Sequence, residues 1–172
     1  MTEKVIEGHQ PTQEGLKGLH TVLGRDTEAV IPVLGVQTPR IHTPLNDLPS
    51  RGHELIDLAS SLGIELMEWQ KFALIHTHKV KPDGRWASPV NTIVVARQNG
   101  KSFLQLIRIL GGLFLWDENL QIGSAHRLST SLEQFRAMVQ IIEKNDSLAK
   151  QVKKIRWQHG GEEIETMTGN RF

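Results

Sequence analysis

The sequence predicts an α/β domain, a three-layer sandwich on a parallel sheet, from three observations. After residue 90 the patterning runs strand, helix, strand, helix, over 91–96, 101–116, 120–125 and 129–144. Such an order needs right-handed crossovers, which set the strands parallel. The first strand meets the first helix at Gly100-Lys101-Ser102, the chemistry of a phosphate-wrapping loop. Helix 101–116 is apolar nearly all round, with only Gln105 and Arg108 interrupting it, so it is expected to lie buried against the sheet.

Taken in order, residues 1–50 contain Pro11, Pro32, Pro39, Pro44 and Pro49, leaving only Pro82 and Pro89 for the rest. They are expected to form an extended, weakly ordered arm. Ser50 is placed to cap a helix in which Leu55, Ile56, Ala59 and Leu62 recur at helical spacing, and Gly63 stops it. A second helix is expected over 67–79, burying Trp69, Phe72, Ala73 and Ile75, before a Pro82-Asp83-Gly84 turn. Strand 91–96 rests on the β-formers Thr92, Ile93, Val94 and Val95. Helix 129–144 is amphipathic, with Leu132, Phe135, Val139 and Ile142 on one face. Beyond Asp146 come the basic residues Lys150, Lys153, Lys154 and Arg156, short strand candidates at 155–157 and 163–168, and a Gly169-Asn170 turn. The division expected is an arm, 1–50, and one α/β unit, 51–172.

A chain of 172 residues with 38% hydrophobic content can build a core. Its 20 basic and 19 acidic residues nearly cancel, so net charge argues for neither a nucleic-acid nor a membrane partner. The absence of cysteine excludes disulfides and thiolate metal sites. Residues 1–10 are polar, unlike a secretory leader, and the longest apolar stretch, 109–116, is too short to cross a bilayer. The sequence therefore reads as that of a soluble cytoplasmic protein.

In a phosphate loop the backbone N–H groups wrap the β-phosphate, the lysine reaches the β- and γ-phosphates, and the Ser hydroxyl ligates Mg²⁺. Lys101 and Ser102 fit those roles, although Val95 stands where G-x-x-x-x-G-K-[ST] has its first glycine. The plainer reading is a solvent-facing first helical turn. Arg97 reads either as a stabiliser of γ-phosphate charge or as a surface cation. Trp69-Gln70 reads either as an adenine cap or as a core tryptophan beside an exposed glutamine. Leu115-Trp116-Asp117-Glu118 imitates the apolar strand ending in Asp-Glu that supplies hydrolytic carboxylates, but it continues the helical run from Phe103, so Asp117 and Glu118 are expected to end that helix. No later acidic residue follows an apolar strand, and the hydrolytic carboxylates are expected to be missing. His76 and His78 diverge on a helix, which disfavours a metal pair.

Leu66-Met67-Glu68-Trp69-Gln70-Lys71, Val94-Val95-Ala96-Arg97-Gln98-Asn99-Gly100-Lys101-Ser102 and the segment 124–143 together resemble the ATPase domain of the large terminase subunit of tailed phages. The resemblance covers about residues 40–172. It implies a P-loop NTPase of the additional-strand, catalytic-glutamate type, using ATP and Mg²⁺ to drive double-stranded DNA through a portal into a prohead. It also implies work with a small terminase subunit in the host cytoplasm, and leaves open a homo-oligomeric ring. That family commonly has Ala/Pro-Arg-x-x-Gly-Lys-Ser/Thr without the first glycine, as here. By position Gln70 matches its adenine-recognising glutamine, with Trp69 adjacent. Arg97 matches the loop arginine of the γ-phosphate, and Gln98, Asn99, Gly100, Lys101 and Ser102 complete the phosphate and Mg²⁺ contacts. The family's Asp-Glu pair and nuclease domain would have to follow Phe172, on a downstream polypeptide. The alternative is a non-enzymatic remnant serving as an interaction module in packaging. A small-molecule kinase is the third reading.

Overall fold

A computed structural model describes residues 35–158 and 160–172. Of the expected arm, residues 1–34 lie outside the described residues, and 35–49 hold neither helix nor strand. The helices are α1 (Gly52–Ser61), α2 (Glu68–Thr77), α3 (Lys101–Phe114), α4 (Leu128–Lys144) and the single turn α5 (Asp146–Ala149), followed by strands β1 (Val152–Arg156) and β2 (Glu163–Thr166).

Helix α1 begins where Ser50 Oγ accepts the Gly52 N–H at 3.0 Å while donating to the Ile75 carbonyl at 2.6 Å, so one hydroxyl starts α1 and ties it to α2. It ends in a Schellman arrangement: Gly63, at φ 70°, bonds back to Ser60, and Ile64 to Ala59. Helix α2 is shorter than expected and buries Leu74 and Gln70, leaving Trp69, Phe72, Ala73 and Ile75 half-buried. The contact with α1 runs through Leu74, beneath Gly52. A Cβ on Gly52 would overlap the Leu74 backbone, so glycine sets this close approach.

Helix α3 is the centre of the core, as its composition predicts, although it stops at Phe114 rather than residue 116. Leu104, Leu106, Ile107, Ile109, Leu110 and Leu113 are buried, each burial worth about 1.5–3 kcal/mol. Leu55 of α1 fills the notch left by Gly111. On α4 the buried residues are Phe135, Met138, Val139 and Ile142; Met138 belongs to this face, and Leu132 is only half-buried. Asn145 Oδ1 caps α5 by accepting the Ser147 and Leu148 N–H groups at 3.2 and 3.3 Å.

Strands β1 and β2 pair antiparallel, with Ile155 opposite Ile164 and Arg156 opposite Glu163. The basic run is thereby engaged across the hairpin: Lys153 and Arg156 bind Glu165 at 2.6 and 3.0 Å, and Arg156 also pairs with Glu163. After the turn at Gly169 the chain folds back on β2, where Ile164 and Phe172 exchange backbone hydrogen bonds at 2.8 and 3.0 Å. Arg171 also bridges Leu120 in parallel register, with Gln121 N–H donating to the Arg171 carbonyl at 2.8 Å. This short return is the partner that the turn at 169–170 requires.

The segments 91–96 and 121–125 form no ladder among the described residues. Val94 is 90% exposed and Ile122 84%. A strand is held by its neighbours' hydrogen bonds, so an extended segment without a neighbour earns no strand assignment however strong its β-formers. The β-structure among the described residues is this hairpin, the bridges of Arg171 to Leu120 and Glu165, and two isolated bridges elsewhere, Ser50 to Lys79 and Val80 to Trp86.

Candidate functional site

The loop 97–100 delivers the chain onto α3 through two left-handed residues, Gln98 at φ 64° and Gly100 at φ 75°. Glycine adopts that conformation freely; glutamine does so at a cost of about 1–2 kcal/mol. Asn99 steadies the turn by donating from Nδ2 to the Ala96 and Arg97 carbonyls, both at 3.3 Å. The N–H groups of Gln98, Asn99, Gly100, Lys101 and Ser102 meet no acceptor among the described residues. They lie at the positive end of α3, whose apolar body is anchored in the core. The side chains of Arg97, Lys101 and Ser102 are exposed and make no hydrogen bond or ion pair among the described residues.

Of the two residues read as a base cap, the structure brings Gln70 to the loop: its Nε2 donates to the Gly100 carbonyl at 3.0 Å. Gln70 is only 4% exposed, unlike the exposed glutamine of the plainer reading. Trp69 packs against the core instead, and its backbone N–H reaches Gln37 Oε1 at 3.4 Å. The arrangement offers an anion backbone donors, one ammonium and one guanidinium. For a metal it offers a single hydroxyl, and among the described residues no cluster of three or more His, Asp or Glu side chains could hold a metal ion unaided.

Asp117 and Glu118 do not end α3, which stops at Phe114, but lie just beyond it and are committed elsewhere. Asp117, at φ 49°, accepts from Asn170 Nδ2 at 3.0 Å. Glu118 holds Arg108 in a bidentate pair at 2.7 and 2.9 Å. Arg108 belongs to a cluster that sequence patterning registers only as an interruption in an apolar helix. The Arg108 and Arg51 guanidinium carbons each lie 4.9 Å from the Trp116 ring centre, and Trp86 and His78 pack on the same indole. His78 is buried at the end of α2 beside the Leu74 carbonyl, and burial pushes its imidazole down to about 4, reinforced by the Arg108 charge. His76 stacks on Phe72 with ring centres 4.3 Å apart.

A groove of about 550 Å³ lies apart from the loop, between 120–125, the start of α4 and the return at Phe172. Leu132, Phe135 and Phe172 give it an apolar floor, and none of the sequence-predicted site residues lines it. No family model matches the chain, and no curated protein or solved structure matches it.

Proposed function

We propose that the chain is the ATP-binding part of a phage large terminase subunit, the motor that packages DNA into proheads, and that Mg-ATP binds at residues 97–102. The observation carrying this reading is the run of N–H groups from Gln98 to Ser102 that meet no acceptor among the described residues, at the N-terminus of α3 beside the exposed Lys101 and Ser102. In this reading the N–H groups take the β-phosphate, Lys101 the β- and γ-phosphates, and Arg97 the γ-phosphate charge. The resemblance gives Gln70 and Trp69 to the base; Gln70 is bonded to the Gly100 carbonyl and Trp69 packs against the core. The Ser102 hydroxyl would help to hold magnesium brought in with the triphosphate, and the ion would supply charge neutralisation there.

Segments 91–96 and 120–125 become neighbouring strands of a P-loop sheet once further strands flank them. The exposure of Val94 and Ile122 supports this, because a sheet covered on both faces buries such side chains. The engagement of Asp117 and Glu118 with Asn170 and Arg108 supports a site whose hydrolytic carboxylates come from a downstream polypeptide or a neighbouring copy in a ring. Double-stranded DNA, a portal and a small terminase subunit are the partners of this reading, and host cytoplasm its place. No helix of the described residues is long and apolar enough to cross a membrane. The same exposed apolar residues favour the second reading, a non-enzymatic module docking on packaging partners.

Calorimetric titration of Mg-ATP into the purified chain, with Lys101→Ala as control, tests the site. Binding that falls at least about tenfold in the variant is expected, the loss of one charge-assisted phosphate contact. Unchanged affinity overturns the reading. Partner capture that needs no nucleotide and ignores Lys101→Ala establishes the module instead. Turnover by this chain alone, lost in the variant, would place a hydrolytic carboxylate within residues 1–172 or on a neighbouring copy.

A further inference from the structure

We infer that Gln70 is a positioning residue that sets the phosphate loop from beneath, so that its side chain governs affinity for the triphosphate group rather than selection of the base. The inference rests on the reading of 97–102 as a phosphate site. Both ends of the Gln70 amide are spent on backbone. Its Oε1 accepts the Met67 N–H at 2.8 Å, closing the N-terminus of α2, while Nε2 donates to the Gly100 carbonyl at 3.0 Å. With the side chain 4% exposed, little of the amide is left to present to a base.

The consequence follows from peptide planarity. The Gly100 carbonyl and the Lys101 N–H belong to one planar trans unit and point in opposite directions. Pinning the oxygen down onto Gln70 therefore aims the Lys101 N–H away from α2, toward the exposed mouth of the loop. The same oxygen accepts the Phe103 and Leu104 N–H groups at 3.1 and 3.4 Å, so the first turn of α3 and the amide of α2 fix a single peptide plane. Gly100 takes part by its shape: at φ 75° it presents this plane, and a Cβ there would lie 2.7 Å from Gln70 Nε2. A donor held in place before the ligand arrives loses no freedom on binding, which is how such a contact gains affinity without touching the ligand.

Gln70→Glu separates the two bonds, because it keeps an acceptor for Met67 and sets a carboxylate oxygen against the Gly100 carbonyl. Gln70→Met keeps the length and removes both bonds, and stands in should the glutamate variant fail to fold. Affinities for Mg-ATP, Mg-GTP and Mg-tripolyphosphate are measured on each, together with amide hydrogen exchange of the unliganded chain. The expected result is a common loss of about five- to tenfold for all three ligands, the scale of one hydrogen bond, with faster exchange at 103 and 104, whose N–H groups bond to the Gly100 carbonyl, and unchanged exchange at 106–113. Loss confined to ATP, with tripolyphosphate untouched, makes Gln70 a base reader and overturns the inference; so does unaltered exchange at 103 and 104. Failure of the site itself is distinguishable, because the wild-type chain then binds none of the three ligands or Lys101→Ala leaves their binding unchanged.

Discussion

The Trp116 indole N–H donates to the Glu54 carboxylate at 2.6 Å, joining the chain just past α3 to the first turn of α1. Glu54 is also gripped by Arg51 through Nε and Nη2, both at 2.9 Å, and the Arg51 hydrogen bond is the larger cause holding its carboxyl below the usual range, with Trp116 adding to it. Trp116→Phe keeps a ring for Arg51, Arg108 and Trp86 while deleting the N–H. The expected cost is about 1 kcal/mol in urea denaturation, since Glu54 retains its arginine. Combining it with Glu54→Ala in a double-mutant cycle should show coupling between the two sites. Additive losses would mean that the 2.6 Å contact contributes nothing of its own.

His78 gives the fold an acid limit. Its imidazole titrates near 4 when folded against 6.5 ordinarily, chiefly because of burial, with Arg108 opposing the charged form and the Leu74 carbonyl and Glu118 favouring it. A depressed histidine binds its proton first in the unfolded chain, so its stabilising contribution is complete above pH 6.5. It is lost as pH falls from 6.5 toward 4. At pH 5 the penalty from this group is about 2 kcal/mol. Denaturation midpoints for wild type and His78→Phe, followed from pH 7.5 to pH 5, should converge as pH drops, because the variant has no imidazole to protonate at that position. Parallel curves would show that another group sets the limit.

The helical core was legible because periodicity reports which face is buried. Leu55, Ala59, Leu110, Phe135 and Val139 all reach the interior, and α3 lies at the centre as its largely apolar character demands. The Gly100-Lys101-Ser102 motif was legible as a junction between an extended segment and a helix, and these residues do stand at the start of α3. Local pattern could not report contacts across the fold. The Gln70 link to Gly100 spans 30 residues and the Glu54 link to Trp116 spans 62, and neither pair has a sequence signature. Nor do β-formers at 92–95 report whether a neighbouring strand is present to receive their hydrogen bonds.

Two glycines that look alike in the sequence should respond differently to alanine. At Gly111 an added Cβ runs into Leu55 Cδ2, the far end of a side chain; at Gly52 it runs into the backbone of Leu74 and Ile75. Alanine gains up to about 1 kcal/mol of helix propensity over glycine at an interior position such as 111, against an overpacking penalty of about 1–3 kcal/mol. Gly111→Ala is therefore expected to be destabilised by about 1–2 kcal/mol. Shortening the obstructing side chain should relieve it: the cost of Leu55→Ala measured in the Gly111→Ala background should be smaller than in wild type. Gly52→Ala has no side chain to shorten, so moving α1 off α2 is its only relief. It should be the more damaging substitution, and Leu74→Ala should not rescue it, because the carbonyl remains where it was. Thermal or urea unfolding of the single and paired variants measures all of these differences. Equal costs at the two glycines, or rescue of Gly52→Ala by Leu74→Ala, would show that the α1–α2 contact yields more readily than its backbone packing implies.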